Sequence, residues 1–161
     1  MLKIVEHPDE RLCHVCAPVE LVDASIVGLI DDMAEAMYAS GGVGLAAPQV
    51  GSSSRIALID PTGGEESGHL VVMINPEVTW VSGEAATAAE GCLSLPGVSV
   101  RVRRPVAVEV VYSLPTMERV SRRFTGIEAR IVQHEVDHLD GLTVLDRVGS
   151  LERRLALKDR R

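Results

Sequence analysis

Two stretches of the chain carry apolar residues at helical spacing, and between them the pattern changes to short β-branched runs. In the first stretch Ile26, Ile30, Met33 and Met37 form the stripe of an amphipathic helix. Asp23 or Ser25 can cap it near Ile26, it runs to Tyr38, and Gly41 and Gly42 stop it. In the second, Ile127, Ile131 and His134, with Val132 and Leu139, predict a helix that turns its histidines inward. Residues 55–60, 70–74, 78–81, 98–102, 106–112 and 120–124 read as strands, the first three separated by Pro61-Thr-Gly-Gly and by Asn75-Pro76. Clustered strands joined by short links favour an α+β fold over a doubly wound parallel sheet. The expected architecture is antiparallel or mixed short-stranded sheets packed around the inner helix, with an N-terminal helix and a C-terminal helix. With 161 residues and no repeat, low-complexity tract or linker, residues 1–161 read as a single domain.

Composition narrows the function. Apolar residues make up 46% of the chain but aromatics only 2%, so the core is built from aliphatic side chains. Without aromatic stacking platforms, and with a net charge of -7, neither single-stranded nucleic acid, DNA nor an anionic membrane is an expected partner. Arg147, Arg153, Arg154, Lys158, Arg160 and Arg161 gather near the end, so residues 150–161 read as a basic helical tail. A solvated helix end is the simpler account of it and a docking tail the other. No signal-peptide core and no run of about eighteen apolar residues occurs, which points to the cytoplasm. Three cysteines do not suggest a disulfide framework, and Cys13 and Cys16, despite their C-x-x-C spacing, read as incidental thiols.

The inner helix carries the chemistry. Within Gln133-His-Glu-Val-Asp-His138, His134 and His138 lie one turn apart on one face, so both imidazoles can reach a single divalent metal with Glu135 beside its open position. Histidines satisfied within a core helix are the alternative. A catalytic site of this kind needs a third protein ligand. A metzincin-type protease would place a histidine where Val144 stands, and a gluzincin-type one would need Glu152, so the ligand is sought upstream. Cys92, in a loop bracketed by Gly91 and Pro96, is the candidate, because thiolate is a strong soft donor. The Gly-x-Gly-x-x-Ala string beginning at Gly42 follows a helix rather than a strand and meets Pro48, so it fails as a dinucleotide-binding fingerprint.

Three motifs, Gly42-Val-Gly-Leu-Ala-Ala-Pro-Gln49, Glu90-Gly-Cys-Leu-Ser-Leu-Pro96 and Gln133-His-Glu-Val-Asp-His138, resemble those of the peptide deformylases, in that family's order. The similarity extends over nearly the whole chain. It implies removal of the formyl group from formylmethionyl N-termini of newly made bacterial or organellar proteins; a bacterial cytoplasm and a monomer are the expected setting. Carried over, Cys92, His134 and His138 bind one metal, usually Fe(II), with zinc, nickel or cobalt able to replace it. Glu135 is then the general acid/base, and Gln49 with the Leu93 backbone N–H stabilises the oxyanion. Val43, Ile127 and Ile131 align with the methionine pocket, and Gly44 and Gly91 let an extended peptide approach as an added strand. Because such a substrate would emerge from an RNA-rich ribosome, the basic tail on an otherwise acidic chain is also read as a transient ribosome contact made by charge attraction. An internal-bond metallopeptidase and an inactive peptide-binding module are the competing readings. The turn between Tyr112 and Val120 lacks the Asp and Gly of many relatives, and Met1 leaves no room for a transit peptide.

Overall fold

Asp23 starts the first helix, α1 (Ala24–Ala39), by accepting the Ile26 N–H on its side chain, which satisfies one of the free donors of the first turn. This computed structural model describes residues 1–158 and 160. Ser40 caps the C-terminus of α1 and Gly41 leaves it at φ 68°, so the glycine pair does stop the helix. Strand β1 (Gly44–Ala46) then pairs antiparallel with β2 (Ile56–Ile59), which pairs with β3 (Val71–Val81). Strands β4 (Ala85–Cys92) and β5 (Leu95–Pro105) form a separate hairpin. Strands β6 (Ala107–Ser113) and β7 (Arg119–Thr125) complete a sheet of order β1-β2-β3-β6-β7. Helix α2 (Gly126–Leu139) and helix α3 (Ser150–Lys158) follow. The α+β architecture matches the expectation, and the strand pairings within both sheets are antiparallel.

Strand β2 shows why the large sheet lies between two helices. Ile56 and Leu58 pack with Ile30, Met33 and Met37 of α1, whereas Ala57 and Ile59 pack with Val132, Val136 and Leu139 of α2. Successive side chains of a strand point to opposite faces, so a strand apolar at every position needs cover on both. Helix α2 is thereby buried between the large sheet and the β4–β5 hairpin. A third cluster joins Val98, Val100 and Val102 of β5 to Val144, Leu145, Ala156 and Leu157, docking α3 on the hairpin. The C-terminal tail is thus a packed helix rather than a wholly solvated end; Asp159 and Arg161 of that tail lie outside the described residues. Among the described residues no helix is long and apolar enough to cross a membrane.

Three expectations are corrected. Residues 70–74 and 78–81 are not two strands: Asn75-Pro76 forms a bulge within β3, where pairing to β6 shifts register between Ile74 and Glu77. Asn75 takes φ 52°, and its side-chain amide accepts the Val19 N–H and donates to the Val19 carbonyl, both at 2.7 Å. The residue that looked like a breaker therefore stitches the N-terminal segment to the sheet. Strand β4 was not expected, because Ala-rich sequence has little β propensity; its pairing with the longer β5 overrides that preference. Ile127 does not face the core and is 64% exposed. Between β6 and β7, Met117 takes the left-handed position at φ 68°, which closes the turn without Asp or Gly.

Asn75→Ala should lower stability by about 3 kcal/mol, since it removes two hydrogen bonds to one backbone unit and leaves a Cβ residue at positive φ without a compensating side chain. Urea unfolding measures this, and a loss below about 1 kcal/mol would show that the bulge does not need the stitch.

Candidate metal centre and cleft

Strands β4 and β5 bring Cys92 to the face of α2. Cys92 closes β4 opposite Leu95, so it sits on a tight hairpin rather than on a free loop. Its Sγ lies 3.3 Å from Nε2 of His138. The His134 and His138 rings approach edge to face with centroids 5.0 Å apart. One donor atom from each of Cys92, His134 and His138 falls within 4.8 Å of the others, and this is the group of metal-ligating type among the described residues. The rival third-ligand positions are spent elsewhere: Val144 is buried in the β5 cluster, and the Glu152 carboxylate accepts the Arg101 N–H at 3.0 Å.

The donor set fits a metal. Nδ1 of His134 pairs with Glu90 Oε1 at 3.0 Å, which leaves its Nε2 for the shared point. Nδ1 of His138 and Oε2 of Glu135 are buried polar atoms without a hydrogen-bond partner. Burial, then the nearby charges of His134 and Arg104, push His138 well below the usual imidazole range, whereas against burial the hydrogen bonds with Cys92 and Glu90 hold His134 well above it, so a cation bound here would displace the His134 proton. Burial also raises the Glu135 carboxyl, to about 7.

Beneath the imidazoles lies a charge network that sequence reasoning missed. Arg104 holds Glu90 with Nε at 2.7 Å and Nη2 at 2.9 Å, and reaches Asp137 of α2 with Nη1 at 2.9 Å. Arg130 adds a second cation on Glu90 at 2.6 Å, and Arg147 also pairs with Asp137. Burial would raise the Glu90 carboxyl, but its hydrogen bonds with His134 and Arg104 hold it down at about 2. A carboxylate on the remote nitrogen of a ligating histidine fixes the ring and its tautomer. One signal was available: Arg104 continues the period-two row of Val98, Val100 and Val102, where alternation calls for an apolar residue.

The remaining predicted site residues share one cleft of about 400 Å³. Val43, Ile127 and Ile131 line it together with Gly44, Gly91, Leu93, Gln49 and the Glu135–His134 edge. Gly44 has a reason beyond peptide approach, because a Cβ there would come within 2.9 Å of the Glu135 carboxyl carbon. A Cβ on Gly42 would meet the Leu93 side chain at 2.8 Å, so this glycine seats Leu93. Cys16 is buried in the main core, where burial raises its thiol to about 11, and Cys13 is exposed; both are free.

Known proteins share this arrangement of chain. The sequence pattern described as Polypeptide deformylase matches residues 1–154. A peptide deformylase of Thermodesulfovibrio yellowstonii is 40% identical over 158 residues, covering 98% of this chain and 95% of its own. One from Symbiobacterium thermophilum is 46% identical over 155 residues, covering 94% and 68%. Among solved structures, a plant peptide deformylase superimposes with a TM-score of 0.94 at 35% identity, covering 99% of this chain and 86% of that one. A peptide deformylase from Legionella pneumophila gives 0.93 at 38% identity, covering 99% and 93%. The whole length of the chain, and not only its helix with two histidines, is accounted for by one kind of protein: it belongs to the polypeptide deformylase family, metal-dependent hydrolases that remove the formyl group from protein N-termini.

Proposed function

We propose that Cys92, His134 and His138 hold one divalent cation, Fe(II) in the cell, and that Glu135, Gln49 and Leu93 carry out deformylation beside it. The observation that carries this reading is the convergence of a thiol, two imidazoles and a buried, unpaired carboxylate at the floor of an apolar cleft. A thiolate with two imidazoles also suits zinc, nickel or cobalt. Such a cation supplies Lewis acidity, lowering the pKa of coordinated water to about 7 in favourable sites.

The chain's own residues do the rest. Val43, Ile127 and Ile131 take the methionine side chain, whose flexible thioether fits an irregular apolar slot. Gly91 and Gly44 leave the peptide backbone room to lie along the cleft. Glu135 accepts the proton of the attacking water and returns it to the departing amine; burial raises its carboxyl and so opposes the pull of a neighbouring cation, which suits it to holding the proton between the two transfers. Gln49 and the Leu93 N–H donate to the oxygen where negative charge collects. Three protein ligands rather than four favour a catalytic over a structural metal, and the apolar Val144 disfavours the metzincin reading.

The same reading takes residues 1–161 as one domain, working as a monomer in a bacterial cytoplasm on formylmethionyl nascent chains. Transient ribosome contact through the tail is supported by the outward Arg153, Arg154 and Lys158 of α3. Because Ala156 and Leu157 anchor that helix, reversing its charges tests the contact more cleanly than removing it.

Glu135→Gln should keep the metal and KM while kcat falls by about 10² to 10⁴-fold; metal content and kinetics on one preparation decide, and a metal-free variant would make Glu135 structural. Cys92→Ser should lose metal and activity, whereas Cys13→Ser and Cys16→Ser should retain both, as atomic absorption and formate release will report. The double variant Arg154→Glu and Lys158→Glu should weaken salt-sensitive ribosome cosedimentation and leave turnover of a short formyl peptide unchanged.

A further inference from the structure

The orientation of the Gln49 amide is not free. Its Oε1 accepts the Ala46 N–H at 2.9 Å, and since a backbone N–H can only donate, this end of the amide must be the oxygen. Nε2 is therefore turned the other way, where two acceptors meet it: Ser94 Oγ at 3.2 Å and Cys92 Sγ at 3.6 Å. Ser94 is fully buried and Gln49 is 1% exposed, so water does not compete for these contacts. The two backbones are held in step by one segment, with the Val5 N–H on the Gln49 carbonyl at 2.7 Å and the His7 N–H on the Ser94 carbonyl at 2.8 Å.

We infer that Ser94 is a positioning residue for the known reaction, acting through Gln49. Its hydroxyl accepts one Nε2 hydrogen and so directs the other toward the Cys92 side of the cleft, where the reacting formyl oxygen is placed by the reading above, on which this inference rests. The need for such a stop is physical. The terminal torsion of glutamine is broad, and a contact to sulfur is a weak restraint by itself. Ala46 alone would fix the oxygen and leave the donor plane to rotate. A preorganised donor stabilises the oxyanion because it does not have to reorient during reaction. Ser94 touches neither the cation's ligand atoms nor the substrate under this assignment; it controls the direction of a hydrogen.

The test is a double-mutant cycle on the full-length, metal-loaded protein with Ser94→Ala, Gln49→Ala and both together. Formate release from a formyl-methionyl peptide and metal content are measured on each. Complete loss of an oxyanion donor costs about 10² to 10³-fold in kcat, so Ser94→Ala, which loosens the donor, should cost roughly ten- to a hundredfold with KM and metal content little changed. In the Gln49→Ala background the same substitution should change kcat by less than about twofold, because the group it positions is gone. Multiplying losses would show that Ser94 acts independently of Gln49 and would overturn the proposal, as would wild-type kcat in Ser94→Ala. A Ser94→Ala protein that loses its metal or does not fold places the residue in support of the Cys92 hairpin, and also overturns it. If Gln49→Ala itself keeps full kcat, the oxyanion assignment fails, a result distinguishable from failure of Ser94 alone.

Discussion

Helix α2 buries His134, Glu135, Asp137 and His138 on a single stretch of backbone, and everything else in the structure has to make that tolerable. Ionised groups removed from water cost several kcal/mol each unless they are paired. Arg104 answers Asp137 directly and Glu90 answers His134, while Arg104 and Arg130 answer Glu90 in turn. The network leaves Glu135 Oε2 and His138 Nδ1 without a partner, while the other ring nitrogen of His138, Nε2, is the one that meets Cys92. Removing one member of such a buried pair would strand the other, at a cost of about 3 to 5 kcal/mol. Structural and chemical demands thus meet in Glu90, which both neutralises an arginine and orients the ring of a candidate ligand.

This division explains the placing of the hairpin. Strands β4 and β5 stand apart from the large sheet because they must bring three things to one face of α2: the Cys92 sulfur, the Glu90 carboxylate and the Arg104 guanidinium. Glu90 and Cys92 lie two apart on β4 and Arg104 comes from the far end of β5, so the hairpin's register sets the geometry of the candidate metal centre. Helix α3, seated on β5 through Ala156 and Leu157, braces the hairpin from outside. The glycines at the cleft serve the same packing. At Gly44 the strand passes so close to Glu135 that a side chain would displace the carboxylate.

What the sequence determined by itself was local. Periodicity placed α1 and α2 because helical stripes of Ile and Met, or of Ile, Val and Leu, need only near neighbours to be read. The spacing of His134 and His138 dictated a shared face, because one helical turn is a property of the backbone. Cys92 could be singled out because two histidines leave a coordination position that a thiolate fills well. The family motifs then suggested roles for Gln49 and Leu93 that periodicity does not contain.

What only the tertiary structure decided involves partners distant in sequence. Arg104 meets Asp137, Asn75 binds Val19, and Ser94 receives the amide of Gln49. Nothing in a local window marks Asn75-Pro76 as a bulge rather than a break, since the difference is made by β6 and by the Val19 peptide unit. Strand β4 likewise exists because β5 offers a ladder, against the preference of its alanines. Local propensity is a property of the chain, whereas the pairing of a buried charge or amide is a property of two segments, and only folding brings those segments within hydrogen-bond distance.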